Sequence, residues 1–121
     1  MNKVYPKWSE LPNLDLYLDQ VLLYVNQLDS SSIVDDDKGL TSAMINNYVK
    51  NGHLDKPIKK KYNRKQLARL IVITCLKNVF SIQEISKTIN SLTSDGSSEE
   101  MYDNFVMCMN GEKREGLADV I

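Results

Sequence analysis

The sequence predicts an all-α fold, a small helical bundle that occupies residues 1–121 as one domain. Three observations favour this class. A chain of 121 residues has the size of a single domain. Its hydrophobic fraction of 42% is enough for a core. Only 3 Pro and 5 Gly interrupt the chain, which favours long regular elements over loops.

The sequence has no membrane-spanning or secretion signal. Its longest apolar run, Leu70 to Leu76, is far shorter than the about 18 residues that span a bilayer, and its N-terminus lacks a signal-peptide core. Cys75 and Cys108 have neither a disulfide pattern nor metal-ligand spacing, so we expect buried free thiols and no metal. We therefore expect a cytoplasmic protein without a membrane partner.

The first helix is predicted over residues 14–28, after an extended N-terminal arm of residues 1–13 in which Trp8 packs back on the core. Asn13 is the expected N-cap. One apolar stripe recurs at helical spacing, formed by Leu14, Leu18, Val21, Val25 and Leu28. Residues 29–39 are polar and acidic, and we interpret them as a linker.

The second helix is predicted from Thr41 to Asn51, with Thr41 as N-cap, Leu40 and Ile45 as a hydrophobic staple, and Gly52 as the stop. Its residues divide into two arcs at 100° per residue. The apolar arc contains Met44, Ile45, Tyr48 and Val49. The opposite arc contains Ser42, Ala43, Asn46, Asn47 and Lys50. This helix therefore has one face for the core and a separate polar face.

A connector over residues 52–62 follows, where Pro57 excludes a helix. We expect a short hairpin-like turn with Lys59, Lys60 and Lys61 pointing outward between two apolar anchors, Ile58 and Tyr62. The third helix is predicted from Asn63, with Gln66 at the capping-box position, to about Asn78. Because it is apolar nearly all round, it should be the central buried helix.

Two shorter helices are predicted after it. Ser81 and Glu84 form a capping box for the fourth, with Phe80 and Ile85 as its staple. Its core stripe is expected to be Ile82, Ile85, Ile89 and Leu92. The fifth covers about residues 99–110 and should bury Tyr102, Phe105, Val106 and Met109. Residues 111–121 have weak signals and are expected to form a disordered tail.

Charge is strongly segregated although the net charge is only −1. Residues 38–69 carry nine Lys or Arg against Asp55 alone, while residues 1–37 and residues 70–121 both have an acidic excess. A basic middle between acidic flanks is typical of a protein with a polyanionic partner.

Three motifs carry a family resemblance. They are the W-x-E-L-P opening at Trp8 to Pro12, the L-Y-x-D-Q-V segment at Leu16 to Val21, and M-I-N-N-Y-V-K at Met44 to Lys50. The stretch from Trp8 to Leu92 resembles the domain of unknown function 1836 family of Gram-positive bacteria. The resemblance implies a DNA-binding regulator whose target is unassigned.

Residues 40–92 also resemble the MerR-like winged helix-turn-helix pattern. The matching positions include Tyr48, Lys50, Gly52, Leu54, Pro57, Tyr62, Leu67, Leu70, Ile73, Ser81, Ile82, Glu84 and Ile85. The resemblance implies a recognition helix over about residues 41–51 and a basic loop over residues 59–64, with a very short or absent wing. Independently of the resemblance, we expect a homodimer, because paired half-sites supply the specificity that one small helix lacks.

The chemistry of these segments fits duplex DNA independently. Asn can pair with adenine, and Lys can approach guanine or phosphate. Ser42, Asn46 and Lys50 lie on one line of the polar face, with Asn47 beside it. Helix-start amides can hold a phosphate. The expected DNA-binding residues are Thr41, Ser42, Asn46, Asn47, Lys50, Lys59, Lys60, Lys61 and Arg64.

Other functions stay open at this point. The basic strip, by which we mean the lysines and arginines of residues 38–69, could instead bind an acidic protein partner. RNA binding is a weaker option, because exposed aromatic residues are few. Arg69 could face solvent, pair with an acid or touch DNA. An enzyme is not expected, since the single histidine, His53, has no triad or metal neighbours and no cofactor-binding motif is present. The sequence does not show whether an effector pocket lies between the helices, and it does not identify the operator.

Overall fold

The computed structural model describes residues 5–28, 39–94 and 98–111. Most of the predicted linker and tail therefore lie outside the described residues. The elements are a 3-10 turn (Trp8–Glu10), β1 (Leu16–Tyr17), α1 (Leu18–Leu28), α2 (Ser42–Lys50), β2 (Lys61–Tyr62), α3 (Arg64–Leu76), α4 (Ile82–Leu92) and α5 (Ser98–Met109). Over these ranges, no helix is long and apolar enough to cross a membrane.

The fold is mostly helical, as predicted, and it also contains a small sheet that was not predicted. A small antiparallel sheet pairs Leu16 with Tyr62 and Tyr17 with Lys61. Because β1 takes up residues 16 and 17, the first helix begins at Leu18 instead of residue 14. Leu14, predicted to be in the core stripe, is consequently 74% exposed.

Helix α3 lies at the centre of the molecule, as its sequence predicts. It packs against α1, α4 and α5. Eight of its residues are buried, and they run from Gln66 to Thr74 with only Arg69 interrupting them. The predicted capping box at its start is confirmed, since the Asn63 side chain accepts from the Gln66 N–H at 2.9 Å and the Gln66 side chain accepts from the Asn63 N–H at 2.7 Å. The helix ends at Leu76, slightly earlier than predicted.

The N-terminal arm is bound to α5 by hydrogen bonds. The Asn110 side chain accepts from the Tyr5 N–H at 2.7 Å and donates to the Tyr5 carbonyl at 3.1 Å. The Tyr102 hydroxyl donates to the Pro6 carbonyl at 2.8 Å. Trp8 packs edge-on against the Tyr102 ring, with 6.3 Å between centroids. The expectation that Trp8 packs back on the core is confirmed.

The entry to α2 is fixed by a second asparagine. The Asn26 side chain accepts from the Leu40 N–H at 2.8 Å and donates to the Leu40 carbonyl at 2.9 Å. Gly39, just before it, has a φ of +69°. A Cβ atom at Gly39 would lie 2.5 Å from the Asn26 Oδ1 atom, so only glycine fits this approach. Lys77 adds a hydrogen bond from its Nζ atom to the Gly39 carbonyl at 2.7 Å.

Several side chains predicted to be buried are exposed. Ile58 is 71% exposed, because it lies on the outer side of the hairpin. Phe80 and Leu92 are 48% and 59% exposed, and both line an open cavity between α4 and α5. Cys108 lies in the same cavity wall and is exposed, whereas Cys75 is half-buried, so the expectation of two buried thiols was wrong. Met109, at the end of α5, is 40% exposed.

Candidate nucleic-acid interface

Helix α2 starts and stops where its sequence predicts. The Thr41 hydroxyl accepts from the Met44 N–H at 3.2 Å and caps the first turn. Leu40 and Ile45, the predicted staple, are both buried. At the other end Gly52 adopts a φ of +81°, and its N–H donates to the Val49 carbonyl at 3.2 Å. The nine-residue helix is therefore bounded at both ends by local chemistry.

The division of α2 into two faces is confirmed. Ile45 and Tyr48 are buried, and burial raises the pKa of the Tyr48 hydroxyl. Met44 and Val49 are partly buried and pack against the core. The outward half is exposed and consists of small or polar residues and one lysine, namely Ser42, Ala43, Asn46, Asn47 and Lys50.

The two central amides on this face differ in their surroundings. The Asn47 Oδ1 atom accepts from the Asn51 Nδ2 atom at 2.8 Å, so its oxygen is engaged while its amide protons are left for another acceptor. The Asn46 side chain has no hydrogen-bond partner among the described residues. Asn46 therefore has both a donor and an acceptor available to a ligand.

The turn after α2 is held against α3 by two side chains. The Gln66 Nε2 atom donates to the carbonyls of Asp55 and Lys56, at 2.9 and 3.1 Å. The Arg69 Nε atom donates to the His53 carbonyl at 2.6 Å. These bonds fix the backbone that leaves α2, and so they fix the position of the helix end.

Arg69 is a positioning residue, and its guanidinium does not face solvent freely. Its Nη2 atom also donates to the Ser86 hydroxyl and the Asn90 Oδ1 atom, both at 3.0 Å. Burial lowers the pKa of the guanidinium, and the nearby Asp55 carboxylate acts in the opposite direction. The sequence left the role of Arg69 open, because no local pattern indicates bonds to both the α2 turn and α4.

The predicted lysine turn is a tight hairpin. Ile58 and Lys61 exchange backbone hydrogen bonds of 3.0 and 2.9 Å. Between them, Lys59 and Lys60 adopt φ values of +52° and +68°. Positive φ at both central positions is the pattern of a type I′ turn, which normally selects Asn or Gly. Two lysines here carry a conformational cost and place both side chains at the exposed tip.

Lys61 and Arg64 each contact an aromatic ring of the protein. The Lys61 Nζ atom lies 5.1 Å from the Tyr17 ring centroid. Of the three consecutive lysines, Lys59 and Lys60 are exposed and Lys61 is half-buried. The Arg64 guanidinium lies 5.8 Å from the Trp8 ring centroid and donates to the Asn13 Oδ1 atom at 2.9 Å. Asn13 thus helps to hold the arm and does not cap a helix. A phosphate contact by Arg64 stays a prediction.

The two parts of the candidate interface, α2 and the lysine hairpin, pack against the same helix, α1. α2 and β2 each pack against α1, and β2 also packs against α3. Ser42, Asn46, Asn47 and Lys50 therefore share one exposed helix face, while Lys59 and Lys60 occupy a separate hairpin on the same helical body. Within the described ranges, no group of His, Cys, Asp and Glu is placed to hold a metal ion.

Fold and site together define a small helical domain that presents the exposed polar face of a short helix and, on the same helical body, a basic hairpin. The chain belongs to the family described as Domain of unknown function (DUF1836), whose model matches residues 6–105. No curated protein and no solved structure matched the sequence.

Proposed function

We propose that this protein is a sequence-specific transcription regulator that binds double-stranded DNA, with α2 as a MerR-like recognition helix in the major groove. The observation that carries this proposal is the outward half of α2, which is exposed over its whole length and offers hydrogen-bonding groups without bulky side chains. A recognition helix needs such a face, because its side chains must reach base edges in the groove.

On this proposal the residues of α2 contact different parts of the DNA. Asn46 and Asn47 contact base edges, where an amide can bond adenine through its donor and acceptor together. Ser42 lies one turn before Asn46 and Lys50 one turn after it, on the same line of the helix. Thr41 and the first amides of α2 hold a phosphate at the helix start.

The hairpin supplies phosphate contacts in place of a full wing. Lys59 and Lys60 stand at its tip, Lys61 flanks it, and Arg64 adds a cation at the start of α3. We expect about five phosphate contacts per protomer, which predicts a slope of about −4.5 per protomer, and of about −9 for a homodimer, when log K is plotted against log salt concentration. We further propose a homodimer, since two half-sites increase specificity beyond that of one short helix.

An alternative is a protein-interaction module that binds an acidic partner through the basic strip. The exposed lysines at positions 56, 59, 60 and 65 favour it, because their charge suits an acidic protein as well as DNA. On either proposal the protein acts by binding, without catalysis and without a cofactor.

The test is a selection of the purified protein on random duplexes and fragmented host DNA at near-physiological salt. A K59E/K60E/K61E variant runs in parallel, with K87E on α4 as the charge-reversal control. We expect wild type and K87E to enrich one motif and the triple variant to enrich none. A two-fold symmetric motif would support the homodimer. Absence of binding by wild type even at low salt would exclude the DNA proposal and leave the acidic protein partner.

A further inference from the structure

A second candidate site lies away from α2, between α3, α4 and α5. It is a half-open cavity of about 520 Å³. Its wall is mainly apolar and includes Val72, Leu76, Phe80, Ile89, Leu92 and Phe105. Small-molecule sites in proteins usually have volumes of about 300–1,000 Å³ and mostly apolar walls with a few polar groups. The cavity has the size and the lining of such a site.

The charge of the cavity wall is of one sign. Its charged residues are Glu84, on the first turn of α4, and Glu100, on the first turn of α5. Within the described ranges of the chain, no lysine, arginine or histidine lines the cavity. The Glu84 carboxylate accepts from the Ser81 N–H at 3.0 Å, and this bond lowers the pKa of Glu84. Exposed carboxylates such as Glu84 and Glu100 are ionised at neutral pH. An anionic ligand would therefore be repelled.

We propose that this cavity binds a small lipophilic cation. The apolar body of the ligand would lie against Leu76, Ile89 and Phe105, and its ammonium or comparable group would lie at the rim near Glu84 and Glu100. Phe80 and Phe105 add aromatic faces, which attract cations. The proposal is independent of DNA binding, because the lining of the cavity includes no residue of α2 or of the lysine hairpin.

The test uses three ligands with one shared body: 4-phenylbutylamine, which is a cation at neutral pH, neutral 4-phenylbutanol and anionic 4-phenylbutanoate. Titration calorimetry of the full chain should show the amine binding about fivefold or more tighter than the alcohol, since two exposed carboxylates contribute modestly. The acid should bind more weakly than either of the other two ligands.

The charge preference is tested by variants. E84Q/E100Q should bind amine and alcohol equally, and it should fold normally because Gln can replace Glu in a capping box. E99Q is the matched control, since Glu99 is an exposed acid of the same first turn that does not line the cavity. It should keep the wild-type preference.

The rate of alkylation of Cys108 reports whether the ligand lies in the cavity. Its exposed thiol lines the cavity, whereas the half-buried Cys75 does not. Saturating amine should slow alkylation of Cys108 in a C75A variant and leave alkylation of Cys75 in a C108A variant unchanged. Equal binding of amine and alcohol by wild type, or no protection of Cys108, would overturn the proposal. A concentration-dependent dimer that excludes all three ligands and is broken by L92K would instead assign the cavity to a second copy of the chain.

Discussion

At the scale of single residues, three amide side chains form hydrogen bonds with backbone segments that lie outside the helices and strands. Asn26 binds both polar groups of Leu40, and Asn110 binds both polar groups of Tyr5. Gln66 combines a cap with two bonds to the turn after α2. Each amide provides hydrogen bonds to partly buried backbone groups of a distant segment. The position of α2 depends on two of these residues, Asn26 and Gln66.

Gln66→Glu tests this dependence. The substitution removes both Nε2 donors and directs a carboxylate at the carbonyls of Asp55 and Lys56, at a position only 5% exposed. Chemical denaturation should show a loss of about 2 kcal/mol or more in the free energy of unfolding. K65Q, at the exposed neighbouring position, makes the same change of charge, −1, and should cost less than about 0.5 kcal/mol. Equal losses in the two variants would contradict the assigned role of Gln66.

Two glycines allow the cost of a positive φ to be separated from the cost of a contact. Gly39 and Gly52 have φ values of +69° and +81°. An added Cβ meets the Asn26 Oδ1 atom at 2.5 Å in the first case and no atom within 4 Å in the second. Gly52→Ala should therefore cost about 1 kcal/mol from backbone strain alone. Gly39→Ala should cost at least about 1 kcal/mol more, because Asn26 must release Leu40. Equal thermal shifts would show that the contact has no effect.

At the scale of elements, one substitution in the hairpin of residues 58–62 should change stability and DNA binding in opposite directions. Lys59 and Lys60 occupy two left-handed positions that Asn and Gly adopt at lower cost. K59N/K60G should therefore raise the free energy of unfolding by about 1 kcal/mol. The same variant should reduce the steepness of the salt dependence of DNA binding by about two phosphate contacts. A variant that is more stable and binds DNA as tightly as wild type would contradict the proposed phosphate role of the hairpin.

The elements that could be predicted from the sequence are those with local signals. Thr41 and Gly52 mark the two ends of α2. The capping boxes of Asn63 with Gln66 and of Ser81 with Glu84 mark the starts of α3 and α4. All of these signals are contacts between residues a few positions apart. The sheet was missed because Leu16 pairs with Tyr62, and such pairing leaves no mark in a short window. For the same reason Asn13 was taken as a helix cap, although its actual partner is Arg64.

The candidate site was predictable only in part. The face of α2 follows from helical spacing, and its exposure is confirmed. The links that position this helix, Arg69 to His53 and Gln66 to the connector, depend on tertiary packing that periodicity does not encode. Periodicity also identifies apolar faces without showing whether another element covers them. Leu92 was therefore expected in the core and Phe80 in a staple with Ile85, although Phe80 and Leu92 line an open cavity.

At the scale of the whole molecule, buried tyrosines link its stability to alkaline pH. Burial raises the pKa of Tyr102, chiefly by desolvation, and also raises that of Tyr48 and Tyr62. Below about pH 10, the ordinary tyrosine pKa, these hydroxyls are protonated in both states. Above it, the unfolded chain loses protons that the folded chain retains, so unfolding becomes more favourable as pH rises.

Denaturation at pH 9 and pH 11 measures this effect. Wild type should lose more stability between the two pH values than Tyr102→Phe does, although the variant starts lower because it lacks the bond to the Pro6 carbonyl. Tyr17→Phe, at an exposed position of β1, is the control and should follow wild type. An identical loss in wild type and Tyr102→Phe would show that Tyr102 does not contribute to the alkaline transition.

The most direct test of the central claim, that the exposed face of α2 reads DNA sequence, is the motif selected by Asn46→Ala. Asn46 is exposed and has no partner among the described residues, so the substitution should leave the fold intact. We predict changed preference at one base position of each half-site, with affinity for non-specific DNA nearly unchanged. Asn104→Ala, on α5, should select the wild-type motif. If Asn46→Ala also selects the wild-type motif with unchanged affinity, α2 is not the reading element.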